Sequence, residues 1–357
     1  MIYSRYIASH IHKGAALVLL VLVSISVFFT FTQQLDHLGR GNFGGAEFAE
    51  YLVLKIPATI VDFLPLAALL GAILSLGQLA SNSELIALNA AGVSLRQLIW
   101  SVLRASLLLA LAGMLISEYV APVSETRATR LKGSSIQSNV SLQAKSGIWI
   151  RDERNIVYIG QLFPDGNARQ VQIFNLASRD DRLLSHSLAQ TAVVNEDGWL
   201  LKDVRRSLFH DDRVATQQLG ELFYDGQLSS ELLQSLVVDS EQMSIRALIS
   251  YVDYLRANGL SYQAESLFLW QKIYAPLSVM VLSLMAVPFV TGSQRHGNAG
   301  QRLMIGIMLG LAFAVLNSVL VQVGDQLRLW PPLNAIIPTL LFLLLTIVLI
   351  RFKSTRN

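Results

Sequence analysis

Six stretches of this chain are long and apolar enough to cross a bilayer, and they fall in two groups of three around one water-soluble segment. A hydrocarbon core about 30 Å thick takes about 20 apolar residues of helix. The stretches are Ala15 to Thr32, Ile56 to Ala80, Leu98 to Val120, Leu267 to Val290, Leu303 to Val323 and Leu333 to Ile350. Of 357 residues, 52% are hydrophobic and 15% charged, a balance outside the range of ordinary soluble domains. No small-residue cleavage site follows the first stretch before Gln33, Gln34 and Asp36, so it reads as a retained anchor, not a signal peptide. The expected fold is membrane α-helical: spans one to three in residues 1–122, an inserted domain in 123–265, and spans four to six in 266–357.

Lys and Arg in short loops mark the cytoplasmic side. One side collects Arg5, Lys13, Arg96, Arg295, Arg302, Arg351, Lys353 and Arg356, whereas the other holds Arg40, Lys55 and Arg328. Both termini are therefore expected in the cytoplasm and the inserted domain outside, which in a bacterium with two membranes is the periplasm. Val123 to Glu265 carries 15 basic and 18 acidic residues, which argues against a nucleic-acid partner. The chain has no cysteine, which removes disulfides, thiolate metal sites and thiol nucleophiles together.

The insert reads as β-structure. Ile148 and Ile150 alternate before a polar turn at 152–155, Val157 and Ile159 alternate after it, and further runs follow at Val171 to Leu176, Leu188 to Val194 and Trp199 to Leu208. Asn195-Glu196-Asp197-Gly198 supplies a turn between the last two. Short strands in succession predict an antiparallel sandwich or jellyroll, whose edges either are blunted or pair with another chain. After them Ser244 caps a helix over about 244–258, with Ile245, Leu248, Ile249, Val252 and Leu255 on one face and Gly259 as its stop; it reads either as packed at the membrane surface before span four or as an ordinary amphipathic connector.

The loop between spans two and three, Ser81-Asn82-Ser83-Glu84-Leu85-Ile86-Ala87-Leu88-Asn89-Ala90-Ala91-Gly92, predicts a short helix over about 82–92. Ser81 or Ser83 is placed to cap it, Glu84 suits the positive end of its dipole, and Gly92 stops it. Leu85, Ile86 and Leu88 need a groove. Two readings stay open from local sequence: a coupling helix docked into a separate motor protein, or a surface helix resting on lipid headgroups.

Several motifs now fall in order: Arg5-Tyr6-Ile7, Pro65-Leu66-Ala67-Ala68-Leu69-Leu70-Gly71, Ser83-Glu84-Leu85 with Ala91-Gly92, Glu118-Tyr119-Val120-Ala121-Pro122, and Trp270-Gln271-Lys272-Ile273-Tyr274-Ala275-Pro276-Leu277. Together they resemble the LptF/LptG permeases of bacterial lipopolysaccharide export over nearly the full length, and Gly147-Ile148-Trp149 with Val157-Tyr158-Ile159 resembles the LptG branch. The resemblance implies an inner-membrane heterodimer with a sister permease of the LptF type, an LptB-type ATPase dimer that binds ATP and Mg, a periplasmic β-jellyroll, and LptC leading to an LptA-type bridge. It implies ATPase coupling through Glu84, Leu85, Ile86, Leu88, Ala91 and Gly92, and lipopolysaccharide as the cargo taken from the outer leaflet of the inner membrane.

The chain's own chemistry fits a carrier. It has no phosphate loop, so no cofactor is expected in it and ATP hydrolysis falls to a partner. It has no His-Glu-x-x-His, and His10 with His12 reads as an interfacial pair. Ser24, Ser26 and Thr30 read as backbone-bonded. Cations at the rim of an apolar cavity suit lipid phosphates. Arg127, Arg130 and Lys132 are the best match, or else a solvated stalk; Lys55, Arg40, Asp62, Phe63 and Lys272 are further lipid-binding candidates. Thr30, Asp36, His37 and Ala58 stand where the family tends to place basic residues. Gly306, Gly310 and Ala314 on span five form a small-residue face, as do Ala67, Gly71 and Ser75 on span two; each either meets a partner subunit or packs internally. A scaffold or mechanotransmitter driven by an ATPase without moving lipid is the alternative function.

Overall fold

The computed structural model describes residues 2–39, 43–136, 148–152, 155–162, 167–177, 182–195, 198–209, 213–225, 240–290 and 299–354. Arg40, Glu196, Asp197, Arg295 and Arg356 lie outside them. The helices are α1 (Ile2–Gln34), α2 (Gly45–Ser81), α3 (Glu84–Ala90), α4 (Leu95–Leu115), α5 (Ala121–Ile136), α6 (Ile245–Ala257), α7 (Gln263–Val290), α8 (Ala299–Gln326) and α9 (Pro331–Ser354). Six helical runs have the length and composition to cross a membrane, namely α1, α2, the run from α4 into α5, α7, α8 and α9. Spans two and four are the most buried of them, and spans one and five the least.

Span three stays helical through the Glu118-Tyr119-Val120-Ala121-Pro122 motif by widening into a π turn, Ile116–Val120. The Ala121 amide donates to the Ile116 carbonyl, five residues back. Pro122 has no amide to continue the α ladder, and the extra residue takes up the mismatch.

The chain divides into two compact units. One comprises Met1–Asp36, Leu52–Glu125 and Gln263–Asn357 and contains the membrane helices. Its main core joins Ile7 and Ile11 of span one, Leu69 to Leu79 of span two, Leu98 and Val102 of span three, Val281 to Val290 of span four and Phe342 of span six. The small residues of span two admit span one. A Cβ on Gly71 would lie 2.5 Å from the Ala15 Cα, and one on Gly14 would lie 2.7 Å from the Gly71 carbonyl oxygen. Ser75 donates to the His10 carbonyl at 2.7 Å beside this crossing. Ser24 and Thr30 donate to their own helix four residues back, at 2.8 and 3.0 Å. His10 and His12 do not act as a pair: each ring meets a different backbone carbonyl, of Tyr6 and of Ala105.

The other unit comprises His37–Tyr51 and Thr126–Tyr262. Its strands β1 (Ile148–Asp152), β2 (Asn155–Leu162), β3 (Asn167–Leu176), β4 (Leu183–Asn195), β5 (Gly198–Phe209) and β6 (Val214–Tyr224) form one antiparallel sheet in sequential order. This is the antiparallel β-domain expected between spans three and four. The strand the sequence reading missed is β6, whose exposed polar positions, Gln217, Gln218 and Glu221, leave a faint apolar alternation.

One row of the sheet explains how its strands all serve the same core. The pairing skips Gly160, Gln170, Gln190, Asp203 and Gly220, which lie in line across β2 to β6. Gln170 and Asp203 take left-handed backbone, with φ of 54° and 53°. A strand's side chains alternate between faces, so one extra residue reverses the phase. Ala168 and Val171, Ala189 and Ala192, and Leu201 and Val204 are spaced by three across the row, yet all are buried in one cluster with Trp199. A strict period of two would have turned half of them outward.

Helix α6 closes against the sheet. Ser244 caps it by accepting from the Ala247 amide at 3.2 Å, as expected. Leu248, Val252 and Leu255 are buried, and Tyr254 packs against the sheet's core cluster.

Gly71→Ala forces the backbones of spans one and two apart at a cost of about 1–3 kcal/mol. It should lower the melting temperature of the detergent-purified protein by several degrees, whereas Gly300→Ala, at a site where an added Cβ meets nothing within 4 Å, should leave it unchanged.

Candidate functional site

Helix α3 is seven residues long, too short to persist alone, and it is held at both ends. At its C-terminus Gly92 takes φ +88°, the Gly92 amide donates to the Asn89 carbonyl and the Val93 amide to the Leu88 carbonyl. Those two bonds satisfy the last carbonyls, and the left-handed residue between them is best served by glycine. Directly afterwards Ser94 and Gln97 exchange side-chain and backbone hydrogen bonds and start α4. At the N-terminus the expected serine cap is corrected. Ser83 has φ 60° and its side chain caps nothing.

Glu84 does the work at that end instead. The Tyr6 hydroxyl, from span one, donates to Glu84 Oε2 at 2.6 Å, and the Asn82 amide donates to Oε1 at 3.2 Å. The Tyr6 hydrogen bond first, and the Asn82 bond second, hold the Glu84 carboxyl below its usual range. It is thus ionised at neutral pH, beside the positive end of α3.

The apolar residues of α3 divide by face. Leu85 and Leu88 pack against the membrane core cluster that contains Ile7, Leu79 and Leu98. Ile86 is 49% exposed, and Ala87, Ala90 and Ala91 are exposed beside it. The groove wanted by Leu85 and Leu88 is thus supplied by the chain itself, and the surface left for another molecule centres on Ile86. Sequence reasoning set Tyr6 within a motif but gave it no role; a bond to a residue 78 positions away has no local signal.

The described lipid-binding candidates are divided between the two units, Lys55, Asp62, Phe63 and Lys272 in the first and Arg127, Arg130 and Lys132 in the second. Lys55 is ion-paired to Glu125, whose side chain is nearly buried. The second Glu125 oxygen is buried without a hydrogen-bond partner. Arg127 and Arg130, three residues apart on α5, share a helix face, whereas Lys132 lies about 140° round from Arg127. The Lys132 ammonium stands 5.9 Å from the centre of the Tyr51 ring, which itself packs edge-on to Phe43. Arg127 and Asp62 are exposed on the single chain, and Phe63 and Lys272 are half-buried.

The small-residue face of span five turns inward. A Cβ on Gly306 would meet Leu70 at 2.5 Å and Ile73 at 3.1 Å, and one on Gly310 would collide with Leu66, all on span two. The option of a partner-subunit contact at Gly306 and Gly310 is corrected to packing within the chain, because the glycines make room for span-two leucines. Ala314 is exposed, in company with Met308, Leu311 and Val315.

Residues 5–351 match the family model described as lipopolysaccharide export system permease LptF/LptG. The chain is 32% identical over 356 residues to the lipopolysaccharide export system permease protein LptG of Escherichia coli K12, covering 99% of each chain. It is 31% identical over 348 residues to LptG of Haemophilus influenzae, covering 96% of each. Identity to LptF of Escherichia coli K12 is 23% over 370 residues, covering 98% of this chain and 94% of the relative.

Lys55→Met leaves the Glu125 carboxylate nearly buried with its cation gone, at a cost of about 2 kcal/mol once the partial exposure of Lys55 is allowed for. The double variant Lys55→Met/Glu125→Leu should recover most of that loss in denaturant unfolding followed in detergent.

Proposed function

Because the chain belongs to the LptF/LptG family of lipopolysaccharide export permeases, we propose that α3 is the point at which a cytoplasmic ATPase drives that export. The protein is a multi-pass permease of the inner membrane, and its LptG relatives share nearly its whole length. The observation that carries the reading is the division of α3: Leu85 and Leu88 seat the helix in the membrane core while Ile86, Ala87 and Ala90 stay exposed. A helix with one face fixed and the other available can receive a push and pass it on. One resting on headgroups would direct its apolar face away from the protein.

On this reading both termini and α3 lie in the cytoplasm and the strand domain in the periplasm, in keeping with the lysine and arginine bias. An LptB-type ATPase dimer binds ATP and Mg and docks beneath the permease. A sister subunit of the LptF type completes the cavity. LptC and an LptA-type bridge receive lipopolysaccharide on the periplasmic side. Arg127 and Arg130 lie on one helix face, and cations so placed suit the lipid's phosphates. The sister subunit is expected on the exposed faces of span five, at Met308, Leu311 and Val315, and of span one, at Leu17, Leu20 and Phe28.

Ile86→Asp puts a charge on the proposed docking face without touching the buried one. Co-purification of the ATPase should fall at least about tenfold, as for loss of an interface anchor. Normal recovery of the ATPase with this variant would reject α3 as its site. The chain has no native cysteine, so single cysteines report cleanly. Those at Met308, Leu311 and Val315 should crosslink to the sister permease in the assembled complex, and those at Gly306 and Gly310 should not.

A further inference from the structure

The strand domain carries aromatic side chains on the face away from its core. Ile150, Val157, Ile159, Val171, Ile173 and Ala189 are buried in the core cluster, so the residues alternating with them point to the opposite side of the sheet. One row there is Trp149, Tyr158, Gln172, Leu188 and Arg205, paired strand to strand from β1 to β5, and the next row holds Phe174, His186 and Ser207. The Trp149 ring centre stands 4.7 Å from that of Tyr158 and 6.0 Å from that of Phe174, and Phe174 stacks on His186 at 4.6 Å. Trp149 is 60% exposed. The outer face of an antiparallel sheet is ordinarily polar, so exposed rings in contact across four strands call for an occupant.

The chemistry of the strip selects that occupant. Hydrogen-bonding groups stand among the rings and not around them: Gln172 Oε1 lies 3.2 Å from His186 Nε2, and Ser207 follows His186 in the row. Partial burial lowers the His186 pKa, so at neutral pH its uncharged ring donates from one nitrogen and accepts at the other. A protein interface instead places apolar residues at its centre and polar ones at its rim. From Trp149 to His186 the strip spans about 14 Å across the strands and about 7 Å along them, an area on the order of 100 Å². A stable protein interface covers about 800 Å² of each partner. A short run of sugar rings fits the smaller area. A pyranose has an apolar face of C–H groups, which packs on an aromatic ring, and a rim of hydroxyls, which neighbouring amide, imidazole and hydroxyl groups satisfy. The charged residues of the two rows are Arg151 and Arg205, with no acidic residue among them, which favours a saccharide that bears negative charge.

We infer that this strip is a second cargo site, which holds the phosphorylated saccharide of the exported lipopolysaccharide by stacking it on Trp149. The inference rests on lipopolysaccharide as the cargo and is independent of α3.

The full complex of this chain, its sister permease and the ATPase is purified in detergent, and binding of a fluorescein-labelled oligosaccharide is followed by anisotropy. The oligosaccharide is lipopolysaccharide stripped of its acyl chains by alkali, with its phosphates retained. Saturable binding is expected. Trp149→Ala should weaken it about fivefold, within the range for removing one ring of a stacked pair, whereas Trp149→Tyr, which keeps a ring, should stay within about twofold. Arg205→Gln should weaken binding and flatten its dependence on salt. Phe223→Ala deletes a ring that is 57% exposed but outside the two rows, and it should change nothing.

Absence of saturable binding, or equal losses for Trp149→Ala and Phe223→Ala, overturns the inference. Tighter binding of a labelled cell-wall glycan fragment than of the oligosaccharide also overturns it, by assigning the strip to another saccharide. Loss of a subunit from the Trp149→Ala complex with oligosaccharide affinity unchanged overturns it too, by making the strip a protein contact. Failure of the export reading has a separate signature: the unaltered complex in proteoliposomes releases no lipopolysaccharide on ATP hydrolysis, whatever binds at Trp149.

Discussion

The close approach of span one to span two at Gly14 and Gly71 is the constraint on which the membrane unit depends. Two backbones this near leave no room for side chains between them, and the contact brings Ser75 within 2.7 Å of the His10 carbonyl. It also sets where the first turns of span one lie. Ile7 and Ile11 then join the core beside Leu79 and Leu98, and Tyr6 comes within hydrogen-bonding distance of Glu84. In lipid there is little hydrophobic gain from bringing helices together, so contact area and buried hydrogen bonds carry the association, and glycines make both possible.

The same economy of small residues operates on the other side of span two. Gly306 and Gly310 let span five settle onto Leu66, Leu70 and Ile73. Span two thereby becomes the post around which the peripheral spans are arranged, and spans one and five keep broad exposed faces. A permease that works with a sister subunit needs such faces, and a helix held along one narrow line can rotate about it. The seam across the β-sheet solves a different problem with a similar means: one extra residue in each of β2 to β6, left-handed in Gln170 and Asp203, restores a common core face where strict alternation would have split it.

Much of this is legible in the sequence. Span positions followed from length and hydropathy, the strands up to β5 from alternation, and the Ser244 cap and the Gly92 stop from residue chemistry that acts within a few positions. What was misread has a common origin. Ser81 or Ser83 was expected to cap α3 because serine often does, but Ser81 donates to the Gln78 carbonyl and Ser83 adopts a left-handed turn with its side chain capping nothing. The Gly306 stripe could equally have faced a partner, because a small-residue face records close packing without recording with what. Strand β6 was missed because its polar residues dilute the alternation that pairing with β5 makes sufficient.

The sequence by itself determined that this is a six-span membrane protein with a β-domain after the third span, and its ordered motifs pointed to lipopolysaccharide export. These properties depend on local composition and periodicity, which the bilayer and the peptide backbone read directly. Only the tertiary structure decided which face of α3 is left exposed, that Lys55 is paired with Glu125, that span five packs its glycines on span two, and that Tyr6 holds Glu84. Each of these joins residues far apart in the chain. Their distance in space follows from helix crossings, and no local pattern encodes it.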